Sequence, residues 1–216
     1  MQRFLLPRRS AHILEDEWDK IREWSQSDPE KDVALIREWE DAIARHVGVA
    51  HAAAVNSGRA GMAQILQHLE LAAGDEVVVP AYTLKDLVPL IQDFGATVIP
   101  ADIHPETLNM TANAIAAKLS SRTKAVIVLH AFGSPAPMPE ILAVTEQAGV
   151  PVIEDCAHAL GATLGGKQVG SFGYAAFFSF EMTKPINTYG GGMVVSQDAS
   201  LMEAIRTREE QKPFNL

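Results

Sequence analysis

The stretch KAVIVLHAFGSPAPMPEILAVTEQAGVPVIED (124–155) decides the fold class. Its two ends, KAVIVLH and PVIED, are runs of Val and Ile without polar alternation, the pattern of strands covered on both faces. The segment between them reads as a helix over residues 139–148. Gly149 ends it, because glycine takes the left-handed backbone that stops a helix. Strand, helix and strand in that order predict a largely parallel α/β sheet.

Working outward, the same alternation starts near residue 50. AAAV (52–55) precedes a helix over 58–69, EVVVP (76–80) one over 83–94, and ATVIPAD (96–102) one over 112–119. Gly74 and Gly95 punctuate the joins, and AAFFSF (175–180) adds a further strand-like run. Ahead of the alternation, residues 11–25 and 32–47 read as helices, with SDPEKD (27–32) as the loop between them. The second helix lines up Val33, Ile36, Trp39, Ile43 and Val47 on one face, which needs a partner. The expected organisation is a helical segment over 1–48 and an α/β domain over 49–216, with no internal repeat.

With 216 residues, 47% hydrophobic and 21% charged, the chain can bury one sizeable core. A net charge of -9 argues against a nucleic-acid surface, which takes clustered Lys and Arg, and PRR (7–9) is too small to make one. The single cysteine, Cys156, excludes an internal disulfide or a cysteine-rich metal site and suits a reducing compartment. MQRFLLPRRSAHILEDEWDK (1–20) lacks the long apolar core of a secretory signal, and no run has the length of a membrane span. The expectation is a cytoplasmic protein without membrane or nucleic-acid partners.

In an open parallel sheet ligands collect beyond the carboxyl ends of the strands. Three stretches fall there: NSGRAG (56–61), PAYTLKD (80–86) and EDCAHALGA (154–162). Ser57 and Gly58 at a helix start present backbone N–H groups and the positive end of the helix dipole, which suits a phosphate, although a serine cap with a glycine turn looks the same. Arg59 could reach an anion or lie on the surface. Glu154 and Asp155 end a buried strand, where a carboxylate needs a cationic or hydrogen-bonding partner: a metal, a ribose hydroxyl or a protonated ring nitrogen. His158 is a ligand or a packing residue, and two residues make an incomplete metal site.

A fourth stretch, FFSFEMTKPINTYGGGMVV (177–195), sets Lys184 between an apolar run and three glycines, with Ser179, Thr183 and Thr188 close by. A lysine in a confined cleft loses its proton more readily and attacks an aldehyde. A phosphate cradle, a carboxylate for a ring nitrogen and an amine for an aldehyde are the three handles of pyridoxal 5'-phosphate.

VNSGRAGM (55–62), GDEVVVPAYTLKD (74–86), ADIHPETLNM (101–110), LHAFGSPAPM (129–138), EDCAHALGA and the lysine stretch, in this order, resemble the DegT/DnrJ/EryC1/StrS aminotransferases. These are the sugar-modifying branch of the aspartate-aminotransferase fold, and the similarity covers residues 38–206. The resemblance implies a mostly parallel seven-stranded sheet flanked by helices, and amino transfer from glutamate to a nucleotide-linked keto-sugar. It implies that Lys184 carries the cofactor and moves a proton, that Asp155 pairs with the pyridine nitrogen, and that His158 lies beside the ring. Ser57, Gly58, Arg59 and Ser179 match phosphate-binding positions, and Leu84 matches the residue against the ring. A metal is not implied, and a homodimer is.

Two positions depart from the family pattern: Leu84 stands where many members have an aromatic residue, and Arg59 where a small hydroxyl residue is usual. Members are also longer than this chain, which stops at EEQKPFNL, so the resemblance implies that it lacks most of the carboxy-terminal small domain. A truncated product, a separate chain supplying the small domain, and a non-catalytic role on the same fold are all compatible with that length. A family dehydratase, which replaces the lysine with histidine, is disfavoured by Lys184.

Overall fold

The computed structural model describes residues 15–24 and 29–210. Helices α1 (Glu17–Trp24) and α2 (Pro29–Val47) lead into β1 (His51–Val55) and α3 (Gly58–His68). Then come β2 (Glu76–Pro80), α4 (Leu87–Asp93), β3 (Thr97–Ala101), α5 (Ala112–Ala116), β4 (Thr123–Leu129), α6 (Met138–Gln147) and β5 (Val152–Asp155). A hairpin of β6 (Thr163–Leu164) and β7 (Lys167–Gln168) precedes β8 (Ala175–Ser179), β9 (Gly192–Ser196) and α7 (Ala199–Glu210).

Seven strands form one sheet in the order β1-β9-β8-β5-β4-β2-β3, so the expected α/β architecture is present. The run from β3 to β8 is parallel, and β9 alone is reversed, antiparallel to both β8 and β1. The apolar runs are unbroken because both faces of the sheet are covered. On one face Val77, Val79, Ile127, Ile153 and Phe177 pack with Met62, Ile65, Ile91 and Ile205 of α3, α4 and α7. Their neighbours in sequence point the other way. Val78, Val126, Val128 and Val152 meet Ile115, Met138 and Ile141 of α5 and α6, while Ala176, Phe178 and Val195 meet Ile43, Ala44 and Val47 of α2. Period-two alternation therefore sorts a continuous Val/Ile run into two cores.

The sequence reading needs four corrections. Residues 29–32 are helical rather than loop, because Pro29 stands in the first turn, where no N–H is required; residues 11–14 and 25–28 lie outside the described set. Val33 and Ile36 are exposed, so the apolar face of α2 finds its partner only from Trp39 onward. The helix expected from residue 83 starts at Leu87, since 81–86 turn instead, with Leu87 N–H donating to Leu84 C=O and Val88 N–H to Lys85 C=O. The helix expected over 112–119 is one short stretch, α5, capped by Thr111 Oγ1, which accepts the Ala114 N–H. Among the described residues no helix is long and apolar enough to cross a membrane.

Candidate functional site

The carboxyl ends of the parallel strands carry the residues singled out above. Ser57 leaves β1 in an extended conformation (φ -167, ψ 165), and its Oγ accepts the Ala60 N–H at 3.1 Å. Gly61 N–H takes the Ser57 carbonyl and closes the first turn of α3, whose N-terminus carries the positive end of the helix dipole. Ser57 also pairs with Gly191 as an isolated parallel bridge.

Close backbone approach explains the glycines here. A Cβ on Gly192 would lie 2.6 Å from Gly58 N and 2.7 Å from Phe178 O, and a Cβ on Gly58 would lie 3.2 Å from the Ser179 Cβ. The 57–58 turn, the end of β8 and the start of β9 therefore close on one point, bringing Ser57, Gly58 and Ser179 together. Gly191, at φ 87, turns the chain into that contact. The triple glycine was visible in the sequence, but its role was not, because only the sheet order sets β9 beside β1.

Arg59 is not aimed into this cradle. Its Nη1 lies 2.9 Å from Asp86 Oδ2, and the pair is exposed. Leu84 is exposed on the 81–86 turn, and Tyr82 on the same turn sits with its ring 6.1 Å from that of Phe132.

Asp155 ends β5, 5% exposed. Burial pushes its carboxyl up to about 6, opposed by the Ala157 N–H that Oδ1 accepts at 3.0 Å and by the charge of Lys184. Lys184 lies within electrostatic reach of Asp155. It is half-buried in the loop after β8, which its own N–H closes onto Glu181 C=O at 2.9 Å and Thr188 N–H closes onto Phe180 C=O at 3.0 Å. Its charge also helps hold the Glu181 carboxyl low, after the two bonds from Thr183. His158 follows in the turn after Asp155, stacked on Phe132 with centroids 5.6 Å apart at 9°.

Glu154 has a different task from Asp155. It is fully buried and accepts N–H groups from Gly170, Phe172 and Gly173 at 2.9, 2.8 and 2.7 Å. Its fourth donor is His130 Nε2 at 2.9 Å, because His130 Nδ1 accepts the Ala136 N–H and so leaves the proton on Nε2. Cys156 completes a buried trio whose donor atoms lie within 4.8 Å of one another. Both ring nitrogens and both carboxylate oxygens in that trio already hold hydrogen bonds, and burial beside Glu154 pushes the thiol up, so the trio packs rather than ligates.

The carboxyl ends of β1, β5 and β8 thus carry a helix N-terminus, a desolvated acid and, in the following loop, an amine. The DegT/DnrJ/EryC1/StrS aminotransferase family model matches residues 12–211. The chain is 41% identical over 171 residues to a UDP-N-acetyl-3-dehydro-alpha-D-glucosamine 3-aminotransferase of Acidithiobacillus ferrooxidans, covering 79% of this chain and 46% of that protein. Among solved structures, DesI with its TDP-sugar product matches at TM-score 0.79 and 33% identity, over 98% of this chain and 54% of that one. A protein of Streptococcus pneumoniae solved in its PLP form matches at TM-score 0.83 and 24% identity, over 95% and 55%, and supports the fold alone. The chain spans about half the length of the relatives it matches. Sheet order, strand-end residues and a match running from one end of the described chain to the other agree: this chain belongs to the DegT/DnrJ/EryC1/StrS aminotransferase family.

Proposed function

We propose that the chain is the pyridoxal-phosphate-binding part of an aminotransferase that moves an amino group from glutamate to a nucleotide-linked keto-sugar. One observation carries the reading: the N–H donors of the 57–59 turn, the buried Asp155 carboxyl and the Lys184 amine gather at the same end of the sheet. The cradle closed by Gly58 and Gly192 suits a phosphate, and an acid pushed up by desolvation gains most from a cationic ring nitrogen, so the residues fit that cofactor. When bound, pyridoxal 5'-phosphate supplies an aldehyde that takes up amino groups and a ring that draws electrons from the substrate carbon.

The chain's own residues do the rest. Ser57, Gly58 and Ser179 bind the phosphate, with Arg59 adding charge by exchanging Asp86 for the anion. Asp155 holds a proton on the ring nitrogen. His158 and Leu84 orient the ring between them. Lys184 is the nucleophile first and afterwards the base that moves a proton at the substrate carbon. Residues 49–216 are the cofactor-binding domain and 1–48 a helical segment ahead of it. A second copy completes the site, and the small domain comes from a separate chain or from sequence continuing beyond this one; the working compartment is the cytoplasm.

Adding pyridoxal 5'-phosphate to purified protein tests the reading. A new visible absorbance band is expected that is absent in Lys184→Ala, bleached by glutamate, and lost on borohydride reduction, which leaves the cofactor fixed on Lys184. No band in the parent protein would overturn the proposal. The chain's half-length favours one second reading, a cofactor-binding protein that is inactive alone. A band that forms but does not respond to glutamate selects it.

A further inference from the structure

Two stretches of the family resemblance, ADIHPETLNM and LHAFGSPAPM, have no task in the reading above, and they meet at one side chain. Asn109 is 2% exposed. Its Oδ1 accepts the Ala131 N–H at 2.9 Å and its Nδ2 donates to the Ser134 carbonyl at 2.9 Å. The amide therefore grips the backbone on both sides of Phe132 and Gly133.

Within that grip Phe132 has φ 51 and ψ 32, a left-handed backbone that a bulky residue rarely adopts. Burial does not explain the strain, because Phe132 is 49% exposed. Its ring instead lies on His158, nearly parallel at 9°, while Tyr82 leans on it at 43°. Gly133 follows at φ 84, so two left-handed residues stand in succession inside the grip. Tyr82, Phe132 and His158 follow β2, β4 and β5, three neighbours in the sheet, so the aromatic row crosses adjacent strand ends. Without the Asn109 clip the turn would relax to ordinary backbone, and the Phe132 side chain would leave the row.

We propose that Asn109 is a positioning residue that holds the strained Phe132 turn so that the Phe132 ring fixes the plane of His158 at the cleft. What His158 then touches rests on the function proposed above; the clip and the stack do not.

The test starts with cofactor-free protein. A stacked phenyl shields the His158 ring C–H signals, so Phe132→Leu should move them downfield and Phe132→Tyr should restore them. Asn109→Asp keeps shape and acceptor but turns a carboxylate toward the Ser134 carbonyl, and should move the same signals although the phenyl remains. Unmoved signals in either Phe132→Leu or Asn109→Asp overturn the inference. Stability supplies a second arm that survives any failure of the Asn109 variant to fold. At a left-handed position Phe132→Gly should have a higher denaturation midpoint than Phe132→Ala, the reverse of the ordinary order. The opposite ranking removes the strain. With pyridoxal 5'-phosphate added, Phe132→Leu should change the circular dichroism of the Lys184-bound band, and Phe132→Tyr should restore it. A band unchanged by Phe132→Leu overturns the positioning role. Absence of any band in the parent refutes the proposed function instead, while the cofactor-free signals still decide the clip.

Discussion

Asp155 illustrates the cost of readying a site. Its carboxyl is held up at about 6, chiefly by burial, against about 3.9 in an unfolded chain. Between roughly pH 4 and 6 the folded protein keeps a proton that the unfolded chain has lost, so stability falls as pH rises through that window. Above it the full penalty stands, about 3 kcal/mol for two units. Asp155→Asn should therefore stabilise the cofactor-free protein by about 2–3 kcal/mol at pH 8 and hardly at all at pH 4. Urea denaturation at the two values checks this, and a variant less stable than the parent at pH 8 would refute it. Gly192 is the opposite case. Gly192→Ala drives a Cβ into the Gly58 N and the Phe178 carbonyl, so it should lose cofactor binding and cost about 1–3 kcal/mol, read by titration and melting. That Lys184, Asp155 and the 57–58 turn follow strand ends was legible in the sequence, because polar residues close an apolar run just before each of them or at it. The contact of Gly192 with Gly58 was not, because 133 residues of chain separate partners that only the reversed strand β9 brings together. Nor was the pairing of Arg59 with Asp86, which depends on the 81–86 segment turning rather than starting a helix.

At the scale of elements, Glu154 joins β5 to its surroundings. Three backbone N–H groups from the 170–173 loop and the His130 imidazole at the end of β4 saturate its oxygens. Glu154→Gln keeps the shape but sets an NH2 against N–H donors, so about 2–4 kcal/mol of stability should be lost, measured by chemical denaturation. A loss under about 1 kcal/mol would mean that the 170–173 loop takes its shape from elsewhere. Asp198 does similar work for α7. Its carboxylate accepts from Ser200 and Leu201 N–H groups, the Ser200 hydroxyl and the Tyr174 hydroxyl, which together hold it down to about 2. That contribution is present above about pH 4 and lost as pH falls through about 2. Asp198→Ala should cost about 1–2 kcal/mol at pH 7, read as a lower melting temperature. The interior strands were legible because Val and Ile run unbroken only where both faces are covered. Helix α7 was not, because it carries polar residues among Leu201, Met202 and Ile205, and its cap depends on a tyrosine 24 positions away.

The whole molecule shows apolar side chains where the strands end. Tyr82, Leu84, Phe132, Met182, Ile186 and Tyr189 are all at least 40% exposed, and all lie on loops that follow β2, β4 or β8. Scattered single residues need no explanation, but six on loops at the carboxyl end of one sheet suit a covered surface. The proposed second copy would cover it. Burying one leucine contributes about 1.5–3 kcal/mol, and every 1.4 kcal/mol is tenfold in affinity. A glutamate at Leu84 or Ile186 should therefore weaken self-association by tenfold or more and leave the melting temperature nearly unchanged, because each side chain is already wet in the single chain. Sedimentation across a concentration series reads the first effect and melting at low concentration the second. A parent protein that stays monomeric at every concentration would remove the dimer and leave a separate chain or further sequence to cover these loops. Co-expression with a candidate small-domain chain would then have to lower the exposure of the same side chains, seen as protection of Met182 from oxidation.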